Sequence, residues 1–85
     1  MNQTEQVLLA VRDERAFQDR KWGAQNHKLP IWLMILAEEF GEASMALNEW
    51  HFRGARLEDV RAELIQTAAV CVAMVESLDR NEAKK

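Results

Sequence analysis

Eighty-five residues suffice for one small domain with a thin core, and 48% hydrophobic content with three Gly and one Pro leaves little room for long loops or many turns. Eleven basic against fourteen acidic residues, a formal net charge of −3, argue against a nucleic-acid polymer as partner, because such a partner calls for a basic face. The single cysteine, Cys71, excludes an intramolecular disulfide framework, and the apolar runs are too short or too interrupted for a signal sequence or a membrane span, so a soluble cytoplasmic protein without membrane contact is expected.

Ala, Leu, Glu and Arg dominate, which predicts an all-α chain. The first helix is expected from about Gln3 to Asp19, capped by Asn2 with Glu5 three residues on. Leu9, Arg12, Ala16 and Phe17 share one stripe, so this helix is only modestly amphipathic. From Arg20 to Leu29 the chain reads as an ordered loop carrying Gly23, Gln25, Asn26 and His27. Pro30 suits the first turn of a second helix that runs to about Phe52. Leu33, Leu36, Phe40, Ala43, Leu47 and Trp50 recur at helical spacing and are its expected core stripe, with Glu39 and Glu42 on the shoulder and Glu38 further out. Gly54 is placed to end that helix in a left-handed conformation.

A third helix is expected from about Leu57 to Leu78, followed by a polar tail over 79–85 that frays; residues 1–85 form one domain. From Leu64 to Val75 this helix is apolar or small on every side except at Gln66 and Thr67, and Cys71 reads as a small buried hydrophobe. A helix apolar all round is buried all round, and three helices of one chain can hardly enclose it. The expected architecture is therefore a three-helix protomer completed into a four-helix-type bundle by homo-oligomerisation, as a homodimer or homotetramer. The turn between helices two and three is very short, so the two pack antiparallel and bring Glu39, Glu42, Glu63 and Gln66 towards one space.

Carboxylates three apart lie on one helical face, and crowding such charges beside apolar residues is costly unless a cation or hydrogen bonds compensate. Two facing pairs of oxygen ligands suggest a divalent metal, with Gln66 as the uncharged member. A di-iron bundle is disfavoured, since no Glu has a His three residues later. Purely structural roles for these residues are a solvated acidic face for Glu38, an interhelical hydrogen bond for Gln66, core anchoring for Trp22 and Trp32, and loop capping for His27.

Glu38-Glu39-Phe40-Gly41-Glu42 followed by Glu63-Leu64-Ile65-Gln66 resembles the paired acidic helices of the MazG-like all-α nucleoside triphosphate pyrophosphohydrolases, relatives of the dimeric dUTPases and dCTP pyrophosphatases; the family has Asp where this chain has Gln66. The segment Gln18-Asp19-Arg20-Lys21-Trp22-Gly23-Ala24-Gln25-Asn26-His27 is similar to the stretch before the metal helix in small bacterial and phage members. The resemblance covers about Glu14 to Leu78. It implies Mg²⁺, or Mn²⁺, held by Glu39, Glu42, Glu63 and Gln66, with Glu38 as a ligand or a base orienting water. It also implies hydrolysis of a nucleoside triphosphate to a monophosphate and pyrophosphate, as nucleotide-pool house-cleaning. Lys21, Trp22, Gln25, Asn26 and His27 would hold the substrate, and phosphate-binding cations are sought among Arg15, Arg20, Arg53, Arg56 and Arg80. The alternative is a catalytically weakened relative that senses nucleotide or binds protein as a helical module.

Overall fold

Asn2 and Glu5 form a reciprocal cap. The Asn2 carboxamide oxygen accepts from the Glu5 N–H at 2.8 Å, and the Glu5 carboxylate accepts from the Asn2 N–H at 3.1 Å. Helix α1 starts behind this cap and spans Gln3–Trp22, α2 spans Leu29–Arg53 and α3 spans Leu57–Ala83, in a computed structural model that describes residues 1–83. The fold is all-α. The sequence places Arg20 to Trp22 in a loop, but they complete α1. That helix stops at Gly23, whose φ of 71° is open to a residue without Cβ and whose N–H donates to the Asp19 carbonyl at 2.8 Å. α2 begins one residue before Pro30 and ends at Gly54, whose φ of 70° and ψ of 22° are left-handed as expected.

α3 is the central element. It packs against α2 as the expected antiparallel hairpin and against α1 on another side, while α1 and α2 do not pack on each other among the described residues. The register of the hairpin is marked at Thr67: its hydroxyl donates to the Glu63 carbonyl at 2.8 Å and approaches the Glu39 carbonyl at 3.5 Å. Trp32, Val70 and Ala73 form the core, with Ile35, Leu36 and Met74 packed around them. His27 meets the Trp32 ring edge-to-face at a centroid distance of 5.0 Å, tying the α1–α2 loop to that core.

Three sequence expectations need correction. Of the proposed α2 core stripe, only Ala43 is buried and Leu36 partly so; Leu33, Phe40, Leu47 and Trp50 face solvent in the single chain, Phe40 at 68% exposure. The helix is apolar on two flanks, and α3 covers just one of them. On α1, Val11 and Gln18 are the buried residues, whereas Arg12, Ala16 and Phe17 are exposed, so its contact face is rotated from the stripe through Leu9 and Phe17. Cys71 is exposed on α3.

Helical structure also continues over 79–83 of the expected tail, and residues 84–85 lie outside the described residues. Arg80 gives a reason for this continuation. Its Nε donates to the Asn26 side-chain oxygen at 2.9 Å and its Nη2 to the Gln25 carbonyl at 3.0 Å, so α3 grips the α1–α2 loop. Arg80→Ala is expected to raise amide exchange across residues 23–28 while leaving the α2–α3 hairpin protected, measured by hydrogen–deuterium exchange. Equal protection of the loop in the variant would contradict this role.

No helix among the described residues is long and apolar enough to cross a membrane.

Candidate functional site

Glu39 and Glu42 sit three apart on α2, on the flank next to α3, and Glu63 stands opposite on α3. One carboxylate oxygen from each converges, the three lying within 4.8 Å of one another. Glu39 and Glu63 are partly buried, and each keeps one buried carboxylate oxygen, Oε2, without a hydrogen-bond partner. The antiparallel hairpin and the Thr67 register are what bring residues over 20 positions apart to this point.

The electrostatics follow from that crowding. Burial, then the charges of Glu42, Glu63, Glu38 and Glu14, hold the Glu39 carboxyl above the ordinary carboxylate value. Burial comes first for Glu63 also, followed by the charge of Glu42 and a close carboxyl–carboxyl approach to it, then Asp59 and Glu14.

Both acids bind their proton more tightly folded than unfolded, so the metal-free protein carries a destabilising term at neutral pH. That term disappears as the pH falls through the raised folded values, and the gain is complete below the ordinary value of 4.5. Thermal unfolding in chelator is expected to show Glu63→Gln more stable than the wild type at about pH 7, with the difference closing towards about pH 4. After solvent screening the gain is about 1 kcal/mol at most, or about 4–8 °C in Tm for a chain of this size. A lower Tm for the variant at neutral pH would contradict the charge-crowding account.

Next to the acids lies a cleft of about 210 Å³, lined by Gln18 and Trp22 of α1, Gln25 of the loop, Trp32, Ile35, Glu38 and Glu39 of α2, and Val70 and Ala73 of α3. Trp22 is half-exposed at its mouth, with the Lys21 ammonium 4.6 Å from the ring centre. The Trp32 indole N–H is buried without a partner. Of the loop residues expected to hold a ligand, Gln25 lines the cleft, Asn26 is turned to Arg80, and His27 is turned to Trp32 with its Nε2 buried and unpartnered. Gln66 is partly buried and lines a different cleft, between α1 and α3, together with Glu14, Asp13 and Arg61.

Two residues join the site that sequence reasoning did not single out. Gln18, 7% exposed, is fixed between neighbours: Arg15 Nη1 donates to its Oε1 at 3.3 Å, and its Nε2 donates to Glu14 Oε2 at 3.4 Å. Glu14 raises the pKa of both Glu39 and Glu63, so α1 contributes a further negative charge near the triad. The signal that could have found them is the i, i+4 spacing of Glu14 and Gln18 on a helix whose apolar stripe is weak.

Most of the candidate cations are engaged elsewhere. Arg15 binds Glu76 at 2.6 Å and Asp19 at 3.0 Å, Arg53 lies 3.8 Å from Glu49, and Arg56 lies 3.3 Å from Glu58. Arg20 has no carboxylate partner among the described residues.

No protein-family model, characterised protein or solved structure matches the chain.

Proposed function

We propose that the chain is a Mg²⁺-dependent nucleoside triphosphate pyrophosphohydrolase of the MazG-like type. The observation that carries the reading is the convergence of Glu39, Glu42 and Glu63, with orphaned carboxylate oxygens, beside a cleft walled by Trp22, Gln18 and Gln25. An all-oxygen donor set of this charge suits a hard divalent cation better than a soft one. Mg²⁺, or Mn²⁺ in its place, held by Glu39, Glu42 and Glu63 would neutralise charge on the substrate phosphates and lower the pKa of the attacking water.

The chain's own residues do the rest. Glu38 lines the cleft beside Glu39 and accepts the proton of the attacking water as general base. The water oxygen forms the new bond to the α-phosphorus, the α–β phosphoanhydride bond breaks, and pyrophosphate leaves with the released electron pair. Trp22 offers a stacking face for the base, and the Gln18 and Gln25 amides offer donors and acceptors to its edge. Lys21 and Arg20, at the end of α1 where the cleft opens, are the cations nearest in sequence for the phosphates. Gln66 lines the separate α1–α3 cleft with Glu14, so the ion would rest on the three carboxylates, with the Glu14 charge acting on them through space. Removal of excess or non-standard nucleotides is the role such a reaction serves.

Gln66 also motivates the second reading, a weakened relative that binds nucleotide without turnover or docks a protein. A panel of nucleoside triphosphates with Mg²⁺ or Mn²⁺, assayed for pyrophosphate release, separates the two. At least one nucleotide is expected to yield monophosphate and pyrophosphate in equal amounts. No turnover at high enzyme and metal would overturn the enzyme and leave the binding module.

A further inference from the structure

Arg15 ties α1 to α3 and, through one further bond, governs a side chain of the cleft. Its own side chain is only 14% exposed. On α3 the Glu76 carboxylate accepts from Nε at 3.1 Å and from Nη2 at 2.6 Å, and on α1 Asp19 accepts from Nη2 at 3.0 Å. A guanidinium is planar and holds its N–H groups in a rigid fork, so these bonds also fix where Nη1 points. Nη1 donates to Gln18 Oε1 at 3.3 Å, and Gln18 Nε2 donates to Glu14 Oε2 at 3.4 Å.

Every link of this chain runs one way. A guanidinium only donates, and an ionised carboxylate only accepts. Turning the Gln18 amide over would set its NH₂ against the guanidinium and its oxygen against the Glu14 carboxylate. Both bonds would be lost, and like polarities would meet. Gln18 is 7% exposed, so water offers little replacement. The sense of this amide is set by the charges on either side of it.

We infer, building on the hydrolase reading, that Arg15 is a positioning residue for the cleft, and that the Gln18 amide it locks selects bases carrying an amino group over their oxo counterparts. Gln18 lines the cleft beside Glu38 and Glu39. Glu14 lies at the acid end, where it shares a cleft with Ile65 and Gln66. Glu76, which anchors Arg15, lies roughly 20 Å further along α3 than Glu63 at about 1.5 Å per residue. The amide nitrogen is therefore on the acid side and the amide oxygen on the far side. Each keeps one unused position, a second N–H on the nitrogen and a second lone pair on the oxygen.

With its phosphates at the acids, a nucleotide presents the edge of its base from the sugar side outwards. The locked amide matches an acceptor first and a donor beyond it. Cytosine offers its ring N3 and then its 4-amino group, and adenine its ring N1 and then its 6-amino group. Uracil and hypoxanthine carry a proton on that ring nitrogen and an oxygen beyond it, which reverses the order. An amide free to turn accepts either order, whereas one held by Arg15 accepts only the first.

Pyrophosphate release from paired nucleotides tests this: cytidine against uridine triphosphate, and adenosine against inosine triphosphate. In the wild type, kcat/KM is expected to favour the amino member of at least one pair by about 10-fold or more, as a site that pairs hydrogen-bonding groups rejects a mismatched one. In Arg15→Met the amide turns freely, and the preference is expected to fall to about 3-fold or less, chiefly through KM. A merely structural role for Arg15 would lower both members of a pair alike and leave their ratio unchanged. Glu76→Ala, at an exposed position that does not line the cleft, frees the guanidinium and is expected to lower the ratio in the same direction. It decides the matter should Arg15→Met not fold. A wild-type ratio near one or in favour of the oxo base, or a ratio that survives either substitution in a folded protein, overturns the role of Arg15 and leaves the hydrolase standing. Failure of every nucleotide to turn over overturns the hydrolase and this selectivity with it.

Discussion

Glu39→Gln is expected to abolish pyrophosphate release while leaving the fold intact, and to make the metal-free protein more stable. The two effects have opposite sign for one reason. Glu39 is held above the ordinary carboxylate value by burial and by Glu42, Glu63, Glu38 and Glu14, so its charge is unfavourable until a cation arrives. An amide of the same shape removes the repulsion and one anionic donor together. Loss of a ligand to an essential ion, or of charge stabilisation in the transition state, typically lowers kcat by about 10²–10³ or more. Steady-state kinetics with saturating Mg²⁺, paired with thermal unfolding in chelator, reads both quantities. A variant that retains activity contradicts the site assignment. A variant that loses both activity and stability points instead to a structural role for Glu39.

Trp32→Ala should have the largest effect on the fold. Trp32 is 1% exposed and joins Val70, Ala73, Ile35, Leu36, Met74 and the His27 ring, so it links α2, α3 and the α1–α2 loop. Truncating a buried Trp to Ala costs about 3–5 kcal/mol, a large part of the 5–15 kcal/mol that holds an ordinary domain together. With so few buried hydrophobic residues among the described residues, most of the helical signal should be lost at room temperature by circular dichroism. Trp32→Phe is expected to fare far better. It keeps most of the apolar contact and removes an indole N–H that is buried without a partner, itself a cost of about 1–3 kcal/mol. A fully folded Trp32→Ala protein would show that the core lies elsewhere.

Much of this architecture was legible before any coordinates. The Asn2–Glu5 box, the left-handed Gly54 and the short turn after it are local chemistry, and the sequence states them directly. The convergence of Glu39, Glu42 and Glu63 follows from helical spacing plus that turn. What periodicity could not resolve was which apolar flank of α2 is covered within the chain. Leu36 and Ala43 face α3 while Leu33, Phe40 and Leu47 do not, yet all five share one repeating pattern; the period marks an apolar face and is silent on whose side chains cover it.

Gln18 and Arg80 were hidden for a related reason. Each is a polar residue whose importance comes from a partner remote in sequence or from burial on a weakly amphipathic helix. Gln18 lines the cleft from α1, and Arg80 reaches back from α3 to Gln25 and Asn26. Neither contact has a sequence spacing that announces it.

Direct titration of Mn²⁺ into the metal-free protein, followed by electron paramagnetic resonance, tests the central claim most closely, because it asks about the carboxylate triad without assuming a substrate. Saturable Mn²⁺ binding by the wild type, competed by Mg²⁺ and lost in Glu39→Gln and Glu63→Gln proteins that remain helical, is the predicted result. Free-ion spectra for the wild type at millimolar Mn²⁺, or binding that survives both substitutions, would contradict a divalent-cation site at Glu39, Glu42 and Glu63.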